Sequence, residues 1–179
     1  MARVATRPTL AFTPLPSLLD IGEYQRDTEA SLYYYFAPTN PAFATIFAGD
    51  LQSEVQTKLA LRVDETDTRS ALAVMSRIEA AFQIDYKRRC DAKKPDLVSV
   101  EFRRISRIRG KKARLDEDIW ETWRNCHATT GPAISQLRSV FKFRHWLAHG
   151  RYWQHGTKYD FQTLYGLATV VFSTFPLYP

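Results

Sequence analysis

"PAISQLRSVFKFRHWLAHG", residues 132–150, decides the fold. On a helix that turns about 100° per residue, Ile134, Leu137, Val140, Phe141, Phe143, Leu147 and Ala148 fall on one broad arc. Ser135, Arg138, Ser139 and Lys142 fall opposite. Pro132 suits the first turn of such a helix, where its missing N–H costs nothing. One residue breaks the pattern: Arg144 lies near the middle of the apolar arc, with His145 on its edge and His149 just past it. A guanidinium is always charged, and burying it unpaired costs several kcal/mol. Two readings compete. Arg144 forms a structural ion pair with a carboxylate such as Glu79 or Asp85, or the arc faces a cleft or a second protomer where Arg144 meets an anion.

The segments on either side are helical too. Residues 1–16 form an irregular lead-in broken by Pro8, Pro14 and Pro16. Residues 17–36 read as a helix, and "APTNP" interrupts it. Asn40 and Pro41 suit the cap and first residue of a short turn through Ala48. Asp50 is placed to cap a helix to about Arg62, and Asp67 to cap another, in which Leu72, Met75, Ile78, Glu79, Phe82 and Tyr86 recur at spacings of three and four. Val98, Phe102, Ile105 and Ile108 make a narrow apolar stripe that Gly110 ends. The acids of "DEDIWETWRNC" favour a helix N-terminus. The helix in "YDFQTLYGLATVVFSTF" is apolar almost all round, which places it centrally or at an interface. With no strand alternation, repeat or Gly-rich phosphate loop, the expected fold is an all-α bundle, one domain over residues 1–179.

Composition narrows the class. Of 179 residues, 45% are apolar and 25% charged, enough for one real core. No run of about 18 apolar residues implies a membrane span, and no signal-length apolar run opens the chain. Cys90 and Cys126 have no metal-ligand spacing and read as reduced thiols, so a cytoplasmic location is expected. Charge is uneven. Between Lys87 and Arg114 stand twelve Lys or Arg against Asp91, Asp96 and Glu101, a local charge of +9, while the rest of the chain carries −3. Such a block points to a polyanion, most simply nucleic acid, with Arg103, Arg104 and Arg107 as candidate substrate contacts. The competing reading is a solvated helix face. A basic DNA-binding helical protein is also conceivable, but no helix-turn-helix pattern stands out.

His145 and His149, four apart, share a helix face. A zinc reading of His-x3-His lacks further ligands beyond Cys126 and His127, so no metal or cofactor is expected. Residues Arg144-His145-Trp146-Leu147-Ala148-His149 match the R-x4-H signature of the HEPN superfamily, with a polar residue after the arginine and Gly150 closing "LAHG". The resemblance covers roughly residues 132–155; elsewhere it is architectural, and the basic block is no hallmark of the family. It implies a helical bundle of the HEPN type that dimerises with motif helices meeting across a cleft. It further implies a metal-independent endoribonuclease, of the kind found in toxin–antitoxin, phage-defence and RNA-processing systems, with a possible cognate antitoxin or defence partner.

The chemistry suits those residues. RNA carries its own nucleophile, the 2′-OH, and attack on the adjacent phosphorus leaves a 2′,3′-cyclic phosphate and a 5′-OH. Histidine titrates near neutrality and can move the protons. Arginine forks onto phosphate oxygens as charge builds. His149 is the expected acid/base, Arg144 the phosphate clamp and His145 an orienting group. Glu79 and Asp85 are the expected supports for Arg144. Tyr152 is a candidate substrate contact, and Trp146, Trp153 and Tyr159 could stack on bases, although lone aromatics more often pack in cores. The alternative is a HEPN-like dimer that binds RNA or a nucleotide, or scaffolds a partner, without cleaving.

Overall fold

The computed structural model describes residues 14–149 and 156–178, and among them every regular element is helical. Seven α-helices follow in order: α1 (Leu18–Tyr35), α2 (Phe43–Ile46), α3 (Gln52–Ala92), α4 (Leu97–Arg109), α5 (Glu121–Cys126), α6 (Gly131–Ala148) and α7 (Phe161–Thr174). Short 3₁₀ turns at Gly110–Lys112 and Ala128–Thr130 and a π-helical turn at Leu115–Trp120 complete the list. The all-α expectation holds. No helix among the described residues is long and apolar enough to cross a membrane.

The two helices expected over residues 50–89 are one. α3 runs unbroken for 41 residues, about 60 Å at 1.5 Å per residue. Residues 51–94 contain neither glycine nor proline, so nothing in the chain stops the helix. The polar stretch around Asp64–Asp67 only looked like a boundary. Asp50 does not cap α3; it pairs with Lys58 at 2.6 Å, and the backbone N–H of Leu51 donates to Glu54. Asp67 is a cap, but for another helix. Its carboxylate accepts the N–H of Phe161 at 3.1–3.2 Å, at the start of α7. α3 ends at Lys93, which adopts φ +50 before Pro95.

α3 is the spine on which α1, α4, α6 and α7 pack. Met75, Ile78 and Phe82 of α3 are fully buried with Phe102, Trp123, Ile134, Leu137 and Leu164. Edge-to-face aromatics fill the centre: Phe82 and Trp123 meet Phe175 at ring-centroid distances of 5.0 and 5.5 Å. Ile108 departs from the expected stripe on α4 and lies 72% exposed, because α4 outruns the core at its last turn. α7 buries one face, Phe161, Leu164, Leu167, Ala168 and Val171, and leaves the other open with Val170 49% exposed, so it is not the all-round buried helix that its composition suggested. Ser17 and Asp20 form a capping box on α1, and a buried bond from Ser70 to Gln25 ties α1 to α3.

The deepest charge is an arginine from the basic block. Arg89 is 6% exposed and Asp85, one turn earlier on α3, is 0% exposed. The Arg89 Nε donates to Asp85 at 2.8 Å, its Nη1 to Asp96 at 2.9 Å and its Nη2 to the Pro176 carbonyl at 2.7 Å. The guanidinium also sits over the rings of Trp123 and Tyr178, 5.0 and 4.6 Å from their centroids. The Tyr178 N–H returns to Asp85 at 3.0 Å. One cation thus joins α3, the N-cap of α4, α5 and the C-terminal tail. Burial pushes the Asp85 carboxyl above its ordinary range, against the pull of the Tyr178 N–H and of Arg89.

Arg89→Met strands Asp85 in the core, so we expect a stability loss of about 3–5 kcal/mol. Without Arg89, burial raises the folded-state pKa of Asp85 further. A carboxyl raised in this way contributes stability below its unfolded value of about 3.9, and that contribution is lost as pH climbs toward the folded value. The gap in urea midpoint between variant and wild type should therefore widen from about pH 5 to about pH 8. A constant gap would show that Asp85 remains ionised after the substitution.

Candidate functional site

α6 places the motif. Pro132 lies in its first turn, and His149 closes it as C-cap with its N–H donating to the His145 carbonyl at 3.1 Å. Ile134, Leu137, Val140, Phe143 and Leu147 are buried and set the rotation of the helix about its axis. Phe141 is half-buried and Ala148 exposed, so the true buried arc is narrower than the sequence suggests. Arg144 therefore sits at the edge of that arc, with its side chain 30% exposed.

At that edge Arg144 meets Glu79 of α3, Nη2 to Oε2 at 2.5 Å, both side chains about one-third exposed. This is the internal ion pair that the sequence offered as one of two readings. Its guanidinium carbon lies 5.8 Å from the Phe141 ring centroid, and its Nε is buried without a hydrogen-bond partner. Asp85, the other expected support, does not reach Arg144. It lies six residues beyond Glu79, about 9 Å further along α3, and is engaged by Arg89.

His145 and His149 are both exposed, their ring centroids 4.1 Å apart. Helix geometry places Arg144 about 100° around the axis from His145 and about 140° from His149. The two imidazoles thus form one exposed group at the end of α6, and Arg144 opens onto a neighbouring sector. Tyr152 and Trp153 lie outside the described residues. Trp146 and Tyr159 are packing residues: each stacks or tilts against Phe143, and the Tyr159 hydroxyl shares a 2.8 Å bond with Ser139.

The basic segment is less free than its charge implies. Arg89 is buried, Arg104 is chelated by Glu101, Arg109 pairs with Asp118 and Arg114 with Glu117. The Arg104 hydrogen bonds hold the Glu101 carboxyl below its ordinary range. Arg103 donates to the Lys94 carbonyl at 2.8 Å, and Arg107 is exposed. These three arginines lie on α4, which packs on α3 and α5, whereas α6 packs on α3 and α7. The expected substrate-binding arginines and the motif residues thus stand on two helices with different main packing partners besides α3.

Beside the motif, an open groove of about 730 Å³ runs along α6, lined by Arg138, Phe141, Lys142 and His145. Its far wall is Glu79 together with Leu115, Asp116 and Trp120 of the π-helical turn. Arg138, Lys142 and His145 are spaced i, i+4, i+7, so this cationic ridge was legible as helical periodicity. Its facing wall, drawn from segments distant in the chain, was not. Among the described residues, no group of three His, Cys, Asp or Glu is placed to hold a metal ion.

No family model, curated protein or solved structure matches this chain.

An ion pair with both partners about one-third exposed contributes little, roughly 0–1 kcal/mol. Glu79→Gln should therefore shift stability by less than about 1 kcal/mol, in contrast to Arg89→Met. A thermal melt of the two variants side by side separates the cases. A loss at Glu79 as large as that at Arg89 would make Arg144–Glu79 a structural anchor instead of a surface pair.

Proposed function

We propose that the exposed end of α6 is the active face of a metal-independent endoribonuclease of the HEPN type, completed by a second copy of the chain. The observation that carries this reading is the pair of exposed imidazoles, His145 and His149, beside a one-third-exposed Arg144. Three such groups at one helix end, none of them spent in the core, are what phosphodiester transfer requires: proton movers and a fixed cation. His149 takes the proton from the 2′-OH or returns one to the leaving 5′-oxygen. Arg144 holds the phosphate oxygens, and His145 orients the phosphate or its neighbouring ring.

Within one chain, Arg144 points to a different sector of α6 from His149. A homodimer with its α6 ends apposed supplies both groups to one cleft from two copies, and provides a base and an acid at once. Glu79 then has a defined role. It fixes the Arg144 side chain while leaving two-thirds of the pair's surroundings as protein and one-third as open approach. RNA is the expected partner, with Arg103 and Arg107 adding diffuse attraction from α4 and Arg104 contributing less because Glu101 already binds it.

The second reading is a non-catalytic HEPN-like dimer that binds RNA or a nucleotide or scaffolds a partner. The Arg144–Glu79 bond favours it, since an arginine already paired has a structural use without any phosphate. A role as toxin or defence effector with a cognate partner belongs to the first reading.

The purified protein should cut single-stranded RNA in excess EDTA and leave 2′,3′-cyclic phosphate and 5′-OH ends. His149→Ala should lower that rate about 10²- to 10⁴-fold with an unchanged melting temperature, because the side chain is exposed. Light scattering at micromolar concentration should give a dimer. Cleavage that needs added metal or leaves 5′-phosphates refutes the mechanism. RNA binding without cleavage moves the second reading into first place.

A further inference from the structure

The groove along α6 has the dimensions and the chemistry of a nucleotide subsite. Its volume of about 730 Å³ lies within the range of small-ligand sites, roughly 300–1,000 Å³. Phe141 and Trp120 line it, with ring centroids 4.9 Å apart in an edge-to-face arrangement, and Phe141 is half-buried with one part open to the groove. An aromatic face of this kind is a stacking platform for a base. Lys142 and His145 stand on the α6 side, where they can meet phosphate, and His145 is shared with the motif.

The opposite wall is acidic. Asp116 accepts from Arg138 through Oδ1 at 2.5 Å, while its side chain remains 55% exposed. Its second oxygen is available to a ligand. Arg138 is also held by Glu121 at 2.9 Å, so the Arg138–Asp116 edge is fixed in orientation. Asp116 is partly neutralised by Arg138, and its exposed oxygen repels phosphate but suits N–H donors. It pairs well with two adjacent N–H donors, and among the four RNA bases guanine alone presents such a pair, N1–H and N2–H, on its Watson–Crick edge. Guanine O6 beside them is an acceptor, matched by the Arg138 guanidinium that lies against Asp116. Asp116 itself projects from a π-helical turn, an irregularity frequent at functional sites.

We infer that this groove is a guanine-recognition subsite, in which the base stacks on Phe141, Asp116 reads its N1–H and N2–H, and the flanking phosphate is delivered to His145. The inference rests on the endoribonuclease reading for its consequence, a cut next to guanine, but not for binding itself.

The experiment has two arms. In the first, cut sites on a mixed-sequence RNA are mapped for wild type, Phe141→Ala and Asp116→Asn. Wild type should cut next to guanine about tenfold or more in preference to other bases. Both variants should lose that preference while still cutting. Cutting without base preference, or a preference that both variants keep, overturns the subsite and leaves the nuclease reading standing. In the second arm, GMP and AMP are titrated against the same three proteins and followed by NMR of the Trp120 indole signal. Selective GMP binding that Asp116→Asn reduces about tenfold supports the subsite even if no RNA is cut, in which case only the nuclease reading fails. Equal response to GMP and AMP, or none, overturns it whether or not RNA is cut. Asp116 is exposed, so its substitution should leave the melt unchanged; Lys142→Ala, also exposed, is the second variant and should weaken GMP without changing its preference over AMP.

Discussion

The buried pair of Arg89 and Asp85 constrains everything around it. A cation at 6% exposure is tolerable only when its hydrogen bonds are met, and Arg89 meets them with Asp85, Asp96 and the Pro176 carbonyl. Each of these partners belongs to a different part of the chain. The turn from α3 into α4, the position of α5 through Trp123, and the docking of the tail at Pro176–Tyr178 are therefore mutually dependent. The tail docked in this way also sets Phe175 between Phe82 and Trp123 in the core.

Arg89 and Arg144 show how depth sets the use of the same side chain. Arg89 is enclosed, so its charge is spent on holding the fold. Arg144 is one-third open and held by Glu79, from the same helix α3. A charge held that loosely on one side is available to an anion arriving from the other. The long α3 is the common support: one end of its C-terminal half carries Glu79 for the α6 face, and the next turns carry Asp85 and Arg89 for the interior.

The α6 face combines two kinds of chemistry on adjacent strips of one helix. The end of the helix presents two exposed imidazoles, and the preceding two turns present cations over a groove with aromatic and acidic walls. In the proposed nuclease the first strip moves protons and the second selects the base that sits beside the scissile phosphate. Both depend on the burial of Ile134, Leu137, Val140, Phe143 and Leu147, because that row alone fixes which way α6 is turned.

The sequence by itself determined the helical class, the starts of α1 and α6 and the end of α4 at Gly110, because each rests on local periodicity or on a Pro, Gly or capping residue whose effect is short-ranged. It also brought out Glu79 as a partner for Arg144, since a buried-face cation calls for a carboxylate nearby. It misplaced what depends on distant segments. Asp67 has the chemistry of a cap, but only the approach of Phe161 from far along the chain shows which helix it caps. Asp85 was legible as an acid in search of a cation, and the cation chosen was Arg89, hidden in a run of basic residues whose charge pointed to a polyanion partner. The groove wall of Leu115, Asp116 and Trp120 comes from an irregular turn that carries no periodicity. Tertiary structure decided these points because ion pairing and groove formation depend on distance in space and on desolvation, and neither is encoded in the spacing of residues along one helix.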